Sequence, residues 1–238
     1  MKHDVWSIVV AGGSSSRMGG GVPKQFRSLA GMPLYRWSVQ ILRAIGGIVV
    51  VVPSDDVDRV QSECGGMGEI VVVGGGARRQ DSVANGLKAL PHNVATVMVH
   101  DAARPFVPYS MARRVLGACE ATGMAIPVVP VPDTVKRSDD GQWAMETVNR
   151  HGLFLAQTPQ ACRRELLASI VAILSQELTD EAQGAEFLGI RPRMIPGSPF
   201  TFKITTEADF AVADAVAHWL RTRRCDEDWH WIRCAPAG

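Results

Sequence analysis

Two cations stand in a segment that has almost no other large side chains. The segment runs AGGSSSRMGGGVPKQ from Ala11 to Gln25, and its cations are Arg17 and Lys24. Glycine lets a backbone approach a ligand closely, while Arg and Lys neutralise phosphate oxygens. The pattern is not a P-loop, because Pro23 precedes the lysine and Gln25 stands where Ser or Thr is required. We interpret the segment as a triphosphate-binding loop; the alternative is a solvated linker with two incidental cations.

The segments on either side place this loop in the fold. The apolar run Trp6–Val10 precedes it and predicts a buried strand, and the periodic segment Leu34–Ile45 follows and predicts a helix. Ligands of open parallel sheets bind at the carboxyl ends of the strands. We therefore expect Arg17 and Lys24 at that edge of a sheet.

A second glycine-rich segment, GGGARRQDSVANGL from Gly74 to Leu87, also follows a strand and opens a helix. Free backbone N–H groups at a helix N-terminus favour anions or carbonyl oxygens, and Ser82 adds a hydroxyl beside them. The alternative is an ordinary turn in which Asp81 or Ser82 caps the helix. The local pattern leaves both interpretations open.

Two further segments carry charges that suit phosphate chemistry. In HDAARPF, Asp101 directly follows the predicted strand Thr96–Val99, so it lies at the same edge and is a candidate ligand for Mg²⁺ beside a triphosphate. Arg104 is a candidate for a phosphate contact or a structural ion pair, and His100 is expected to be a hydrogen-bonded core residue. Later, Lys203 is predicted on a short strand, facing away from its two apolar neighbours.

The remaining pattern predicts an α/β fold with a mostly parallel sheet. Short β-branched runs alternate with helix-length segments, which is typical of parallel strands joined by helices. We predict further strands at 48–52, 70–73 and 125–131, and helices at 57–63, 79–90, 111–121, 163–174, 179–188 and 206–221. Residues 132–152 interrupt this alternation and are typical of a projecting hairpin with its turn at 138–141.

Composition narrows the classes of protein. The chain has 238 residues, 46% of them hydrophobic, which is enough for one large domain, with an appended tail of unknown role at about 222–238. The net charge of +1 gives no reason to expect nucleic acid or a membrane as partner. Five scattered cysteines without a CxxC pair suit reduced thiols, and there is neither a signal-peptide pattern nor an apolar run of roughly 18 residues. We expect a soluble, cytoplasmic protein.

The motifs, taken in order, resemble the 2-C-methyl-D-erythritol 4-phosphate cytidylyltransferases of the non-mevalonate isoprenoid pathway. The resemblance covers roughly residues 6 to 220. It rests on AGGSSSRMGGGVPKQF, GGGARRQDSV, HDAARPFV, PVPDTVKR, the stretch from VNRHGL to QTPQ, TDEA and FKITTEADF. It implies a Rossmann-like fold whose hairpin is an arm exchanged between two subunits of a homodimer. The implied reaction joins CTP to the sugar-alcohol phosphate and releases pyrophosphate.

The resemblance also implies roles for particular residues. Arg17 and Lys24 would stabilise charge on the α-phosphate and the pyrophosphate. Cytosine and ribose would be held by Ala11, Gly12, Gly13, Gly76 and Ser82. Asp101 would ligate Mg²⁺ or another divalent cation, and Arg104 would contact substrate or the loop. Thr134, Arg150 and Lys203 would position the sugar phosphate, the first two from the partner subunit.

Two alternatives remain at this stage. The sister enzyme that uses ribitol 5-phosphate shares the glycine-rich loop, the DAxRPF block and the QTPQ block, although the segment DTVKR favours the methylerythritol enzyme. A nucleotide-binding protein without activity is the more distant alternative. Because the chain ends at Gly238, we expect no fused cyclodiphosphate synthase domain.

Overall fold

Strands and helices alternate along the chain, as the apolar runs predict. The structure, a computed structural model, describes residues 4–13, 22–173, 176–222 and 228–229. Its strands are β1 (Val5–Val10), β2 (Ser28–Leu29), β3 (Met32–Pro33), β4 (Gly47–Val52), β5 (Ile70–Gly74), β6 (Thr96–Asp101), β7 (Met124–Pro130), β8 (Val135–Arg137), β9 (Glu146–Val148), β10 (Phe154–Ala156), β11 (Gln160–Arg163) and β12 (Arg193–Pro196). Its helices are α1 (Leu34–Leu42), α2 (Val57–Glu63), α3 (Arg79–Lys88), α4 (Tyr109–Thr122), α5 (Arg164–Val171), α6 (Glu181–Phe187) and α7 (Glu207–Thr222).

The central sheet is mostly parallel, in the order β10-β7-β11-β6-β1-β4-β5, with β12 also paired to β7. Strands β1, β4, β5 and β6 run parallel, so their carboxyl ends share one edge. Strand β11 is antiparallel to both β6 and β7, and β10 is antiparallel to β7. The predicted fold class is therefore confirmed, although the sequence pattern did not predict β10, β11 or β12.

Helices cover both faces of this sheet and divide the core in two. One cluster joins one face of β1 and β4 to α1, α4 and α7, and contains the fully buried Trp37 and Phe106. The other joins the opposite face to α3, α5 and α6. Helix α3 lies close to the sheet, because a Cβ on Gly86 would stand only 2.6 Å from Ile8 Cγ2. Glycine at this position lets α3 pack directly against β1 and β4.

The segment between β7 and β10 forms the predicted hairpin. Strands β8 and β9 pair antiparallel, from Val135 opposite Val148 to Arg137 opposite Glu146. The turn is held by Asp140, whose carboxylate accepts from the N–H groups of Gln142 and Trp143. We call residues 132–152 the arm. Its two strands form a sheet of their own, separate from the central one.

The last helix begins as its sequence predicts. Thr206 N–H donates to Asp209 Oδ2 at 2.8 Å, and Asp209 N–H donates to Thr206 Oγ1 at 3.1 Å, which makes a capping box. Most of the predicted tail lies outside the described residues, as do two of the five cysteines; Cys64, Cys119 and Cys162 are buried free thiols. No helix in the described part of the chain is long and apolar enough to span a membrane.

Candidate active site

The sheet brings the ends of four strands together at one edge. Val10 lies opposite Asp101 in the register of β1 and β6, and Ala102 N–H donates to Val10 O at 3.0 Å. On the other side, Ala11 N–H donates to Val51 O at 2.7 Å. The segments after β1, β5 and β6 therefore converge, as expected for the ligand-binding edge of an open sheet.

The residues proposed to hold the nucleoside form a small cradle at this edge. Gly76 N–H donates to Ser82 Oγ at 3.0 Å, so the loop after β5 is fastened to the first turn of α3. A Cβ on Gly12 would lie 3.8 Å from the same oxygen, while one on Gly13 would meet no described atom within 4 Å. Ala11 is buried beneath them. The structure thus brings Gly12, Gly76 and Ser82 together, with Ala11 and Gly13 on either side of Gly12 in the chain.

The capping alternative for the second glycine-rich segment is confirmed for Asp81. Arg78 is the N-cap residue of α3, and its N–H donates to Asp81 Oδ2 at 3.1 Å, so Asp81 does cap the helix. Ser82 instead receives the N–H of Gly76 and donates to Arg78 O at 3.3 Å. The turn is therefore capped by Asp81 and fastened through Ser82, and binding of a ligand by its backbone stays a prediction.

Replacing Gly76 with Ala should raise the KM for CTP by about tenfold. The new Cβ would lie 2.4 Å from Asp81 Cβ and 3.1 Å from the Asp81 carbonyl carbon, so the loop must shift away from α3. Initial rates at varied CTP measure the effect. Gly117→Ala is the control, because a Cβ at that exposed position of α4 meets nothing within 4 Å. A wild-type KM for CTP in the Gly76 variant would contradict the cradle.

Asp101 lies between two cations. Lys203 Nζ donates to Asp101 Oδ2 at 2.8 Å, and Arg79 Nε donates to Asp101 Oδ1 at 3.0 Å. Burial by itself raises the pKa of this carboxyl, but the charges of Arg79 and Lys203 and the hydrogen bond from Lys203 reverse the effect and hold it well below its ordinary value. Asp101 is therefore an ionised carboxylate, which is the form that a divalent cation requires.

Lys203 reaches Asp101 from a segment without regular structure. Residues 202–205 form no strand, so the predicted strand is wrong here, and the chain instead follows a short 3-10 turn. The predicted alternation is nevertheless correct: Ile204 is fully buried, while the Lys203 side chain is 39% exposed. A backbone hydrogen bond from Ile204 N–H to Ala103 O fixes this segment beside Asp101.

Lys24 contacts the same segment. It opens a 3-10 turn, Lys24–Phe26, which follows the extended backbone of Pro23. Its Nζ donates to Ile204 O at 3.2 Å, so Lys24 is bonded to the residue that follows Lys203. Arg17 lies outside the described residues, together with the rest of residues 14–21.

Arg104 is a half-buried cation that lines an apolar cavity beside the site. Its Nη1 donates to Thr201 O at 2.9 Å, and its guanidinium hydrogen bonds go to backbone carbonyls, not to a carboxylate. Burial lowers its pKa. The cavity has a volume of about 1100 Å³, and Arg104 and Lys203 are its charged lining residues. An anionic group at this end of the cavity would meet both cations.

His100 is a core residue, as expected from the sequence. It is fully buried, and its Nε2 lies 3.2 Å from Arg104 O, an oxygen that can only accept. Nε2 therefore carries the proton, and Nδ1 accepts from Thr158 Oγ1 at 2.9 Å. The same Thr158 oxygen accepts from Asp101 N–H at 3.1 Å. His100 thus supports the backbone of Asp101 and is not exposed to substrate.

This neutral histidine predicts a pH dependence of stability. Burial lowers the pKa of His100 from 6.5 to about 4. As the pH falls from 6.5 to 4, the unfolded chain takes up a proton that the folded chain does not, so the free energy of unfolding should fall, by at most ~3 kcal/mol. Urea unfolding at several pH values measures the slope. The interpretation is wrong if His100→Gln shows the same slope as wild type in this window.

Thr134 and Arg150 lie on the arm, and both are exposed. Arg150 Nη1 donates to Pro132 O at the base of the arm. Within the described part of this chain, no hydrogen bond or ion pair joins either residue to Asp101 or Lys203. The structure therefore does not bring these two predicted site residues to the cluster within one chain.

Sequence reasoning missed Arg79 and its second partner, Glu181. Arg79 Nη1 and Nη2 donate to Glu181 Oε1 and Oε2 at 2.7 and 3.0 Å. One signal was present: Arg79 is the first residue of α3, where the positive end of the helix dipole disfavours a cation. A half-buried arginine there requires carboxylate partners, but the sequence pattern does not identify them.

The fold and this edge define a class of protein. Glycine-rich segments beside a strand end, together with cations that surround a carboxylate there, are features of a Rossmann-like nucleotidyltransferase. The family described as 2-C-methyl-D-erythritol 4-phosphate cytidylyltransferase matches residues 5–218. The chain belongs to this family, and it is an enzyme of the nucleotidyltransferase class.

Individual relatives agree with this membership. The chain is 40% identical to a 2-C-methyl-D-erythritol 4-phosphate cytidylyltransferase of Frankia casuarinae, over 93% of this chain and 82% of the relative. It is also 40% identical to the bifunctional enzyme IspD/IspF of Caulobacter vibrioides, but it spans only 61% of that relative's length. The crystal structure of 2-C-methyl-D-erythritol 4-phosphate cytidylyltransferase from Thermus thermophilus superposes with a TM-score of 0.73 at 32% identity, covering 89% of this chain and 98% of the other.

Proposed function

We propose that this edge of the sheet transfers cytidylate from CTP to 2-C-methyl-D-erythritol 4-phosphate, in the synthesis of isoprenoid precursors. Membership of the family supports this acceptor and does not favour the ribitol 5-phosphate alternative. An oxygen of the acceptor phosphate attacks the α-phosphorus of CTP. The bond from that phosphorus to the bridging oxygen of the β-phosphate breaks in line, and pyrophosphate leaves with the electron pair.

One observation carries the proposal: three cations act on the charge of one carboxylate at the ligand-binding edge. Arg79, Arg104 and Lys203 all lower the pKa of Asp101, and Lys24 donates to Ile204 O, in the residue that follows Lys203. Two anionic phosphates must approach each other in this reaction, which costs electrostatic energy that fixed cations offset. The attacking phosphate is already ionised at neutral pH, so no general base is needed. Positioning and charge stabilisation supply the catalysis.

The cradle and the cations bind different parts of the two substrates. Ala11, Gly12, Gly13, Gly76 and Ser82 hold cytosine and ribose through backbone groups and one hydroxyl. Arg17 and Lys24 hold the triphosphate at the strand end. Lys203 and Arg104 hold the acceptor phosphate at the mouth of the cavity, on the far side of the α-phosphorus from the leaving pyrophosphate.

Asp101 fits a divalent cation such as Mg²⁺. Each carboxylate oxygen has two lone pairs, and Arg79 and Lys203 occupy one on each, so acceptor capacity remains. The described residues contain no cluster of three or more His, Cys, Asp or Glu side chains, which suits a cation bound chiefly by substrate phosphates and one carboxylate. When bound there, Mg²⁺ would neutralise charge on the triphosphate oxygens.

The arm supports a homodimer in which Thr134 and Arg150 serve the partner's site. An isolated two-stranded hairpin is at best marginally stable in water, so this one needs a surface to pack against. Its Trp143 is 76% exposed and its Met145 62% exposed. Strand β10, at the base of the arm, also exposes Phe154 and Leu155. A second copy, related by a twofold axis, would cover these side chains and bring each arm to the other's cavity.

Pyrophosphate release tests the function directly. The enzyme is assayed with Mg²⁺ and each pairing of CTP, ATP or GTP with methylerythritol phosphate or ribitol 5-phosphate. We expect release with CTP and methylerythritol phosphate alone. Preference for ribitol 5-phosphate would move the chain to the sister activity, and no release with any pairing would favour a nucleotide-binding protein without activity.

A further inference from the structure

A half-buried arginine with two carboxylate partners contacts Asp101 at the proposed active site. The Arg79 side chain is 22% exposed, and that of Glu181 is 4% exposed. Their bidentate pair joins the first residue of α3 to the first residue of α6. The remaining Nε–H of Arg79 donates to Asp101 Oδ1 at 3.0 Å, at the end of β6. One guanidinium thus links three elements that meet at the carboxyl edge of the sheet.

The geometry of this link restricts the Asp101 carboxylate. Two parallel hydrogen bonds to Glu181 fix the plane of the guanidinium. Because Nε lies in that plane, its N–H points in one direction, at Asp101 Oδ1. Asp101 Oδ2 is consequently turned to the open side of the edge, where Lys203 Nζ lies 2.8 Å away. Without Arg79, only the flexible Lys203 would hold the carboxylate.

Two features argue against other roles for Arg79. Its three hydrogen-bonding nitrogens are all engaged by carboxylates, so it is a poor candidate for a phosphate ligand. A buried ion pair is also weak evidence for stability, because the cost of removing both charges from water offsets their attraction. Neither phosphate binding nor stabilisation of the fold explains why Arg79 contacts Asp101.

We propose that Arg79, held by Glu181, is a positioning residue that orients the Asp101 carboxylate toward the substrate side of the site. This inference rests on the proposed role of Asp101. Arg79 itself touches no substrate. A misplacement of about 1 Å at a reacting site lowers rates by roughly 100-fold, so the loss of this support should lower kcat/KM by about 10- to 100-fold.

A double-mutant cycle tests the proposal. Arg79→Gln, Asp101→Asn and the double variant are compared with wild type by kcat/KM, with enough enzyme to follow residual rates. If Arg79 acts only through Asp101, Arg79→Gln should lower kcat/KM in wild type but change it less than about threefold in the Asp101→Asn background. Effects that multiply would overturn the proposal, since Arg79 would then act on substrate or on the fold.

A variant that removes both charges of the ion pair distinguishes an effect on stability from an effect on the orientation of Asp101. Arg79→Gln leaves Glu181 as a buried, unpaired charge and can fail to fold, whereas Arg79→Gln/Glu181→Gln removes both charges together. We expect the paired variant to keep a Tm close to that of wild type, to lose the same 10- to 100-fold in kcat/KM, and to bind Mn²⁺ with CTP more weakly by electron paramagnetic resonance. Wild-type kcat/KM and Mn²⁺ binding in this variant would overturn the inference.

A surface arginine provides the matched control. Arg193 is exposed at the start of β12, where it lies opposite Ala125 at the amino end of β7 and therefore at the other edge of the sheet. Arg193→Gln should leave kcat/KM unchanged. The variants also distinguish the proposed role of Asp101 from the positioning role of Arg79. Wild-type turnover in Asp101→Asn would contradict both. An impaired Asp101→Asn beside a normal Arg79→Gln removes the positioning role alone.

Discussion

Replacing Lys24 with Ala should lower kcat by about 100-fold or more and leave the fold intact. The Lys24 ammonium is half-buried and is held by Ile204 O, next to the residue whose side chain pairs with Asp101. A cation placed in advance stabilises developing phosphate charge without reorganising during the reaction. Pyrophosphate release at saturating CTP and acceptor measures kcat, and thermal unfolding monitors the fold.

Lys88→Ala is the matched control for this experiment. It removes the same charge from an exposed position in the last turn of α3. We expect its kcat to equal that of wild type. If Lys24→Ala also turned over at the wild-type rate, the assignment of the glycine-rich loop as the triphosphate site would be wrong.

Replacing Arg150 with Ala should raise the KM for the sugar phosphate by about 10- to 100-fold and leave the KM for CTP unchanged. This range corresponds to the loss of one or two hydrogen bonds to a charged group. Initial rates at varied acceptor and varied CTP measure the two constants. Arg137→Ala is the control, because Arg137 lies on the same arm in an exposed ion pair with Glu146. A change confined to the KM for CTP would mean that the arm is misplaced in our proposal.

Subunit mixing decides whether Arg150 acts across a dimer. Lys24→Ala damages the site in the core, whereas Arg150→Ala damages the arm. If arms are exchanged, a mixed dimer contains one site with an intact core and an intact arm, so an equal mixture should recover about a quarter of wild-type sites. If each arm serves its own core, every site carries one defect and mixing recovers nothing.

Much of the fold could be predicted because the spacing of apolar residues along the chain indicates which residues are buried. Helix α2 was predicted at its observed bounds, and the four parallel strands were predicted to within about two residues at each end. The sequence pattern did not predict β11, which lies between β6 and β7. This strand is only four residues long, and its apolar and polar residues do not alternate clearly. Its place in the sheet depends on two neighbours that are distant in sequence, and no local pattern records them.

The candidate site was also predictable only in part. Glycine, serine and aspartate at strand ends could be placed at one edge, because the carboxyl ends of parallel strands must meet there. The strand predicted for Lys203 was wrong, since backbone bonds to Ala103 hold that segment and its apolar neighbours alternate without pairing in a sheet. Alternation identifies which side chains are buried, and it does not identify the backbone partner.

Side-chain types and their order along the chain were therefore enough to predict the fold class, the ligand-binding edge and the chemistry expected there. The ion-pair chain from Glu181 through Arg79 and Asp101 to Lys203 required the tertiary structure. Its bonded pairs are as much as 102 residues apart in sequence, and each member could have paired with many other charges. Pairing at that separation is decided by how helices pack on the sheet, because a buried charge is tolerated only where the fold places its partner.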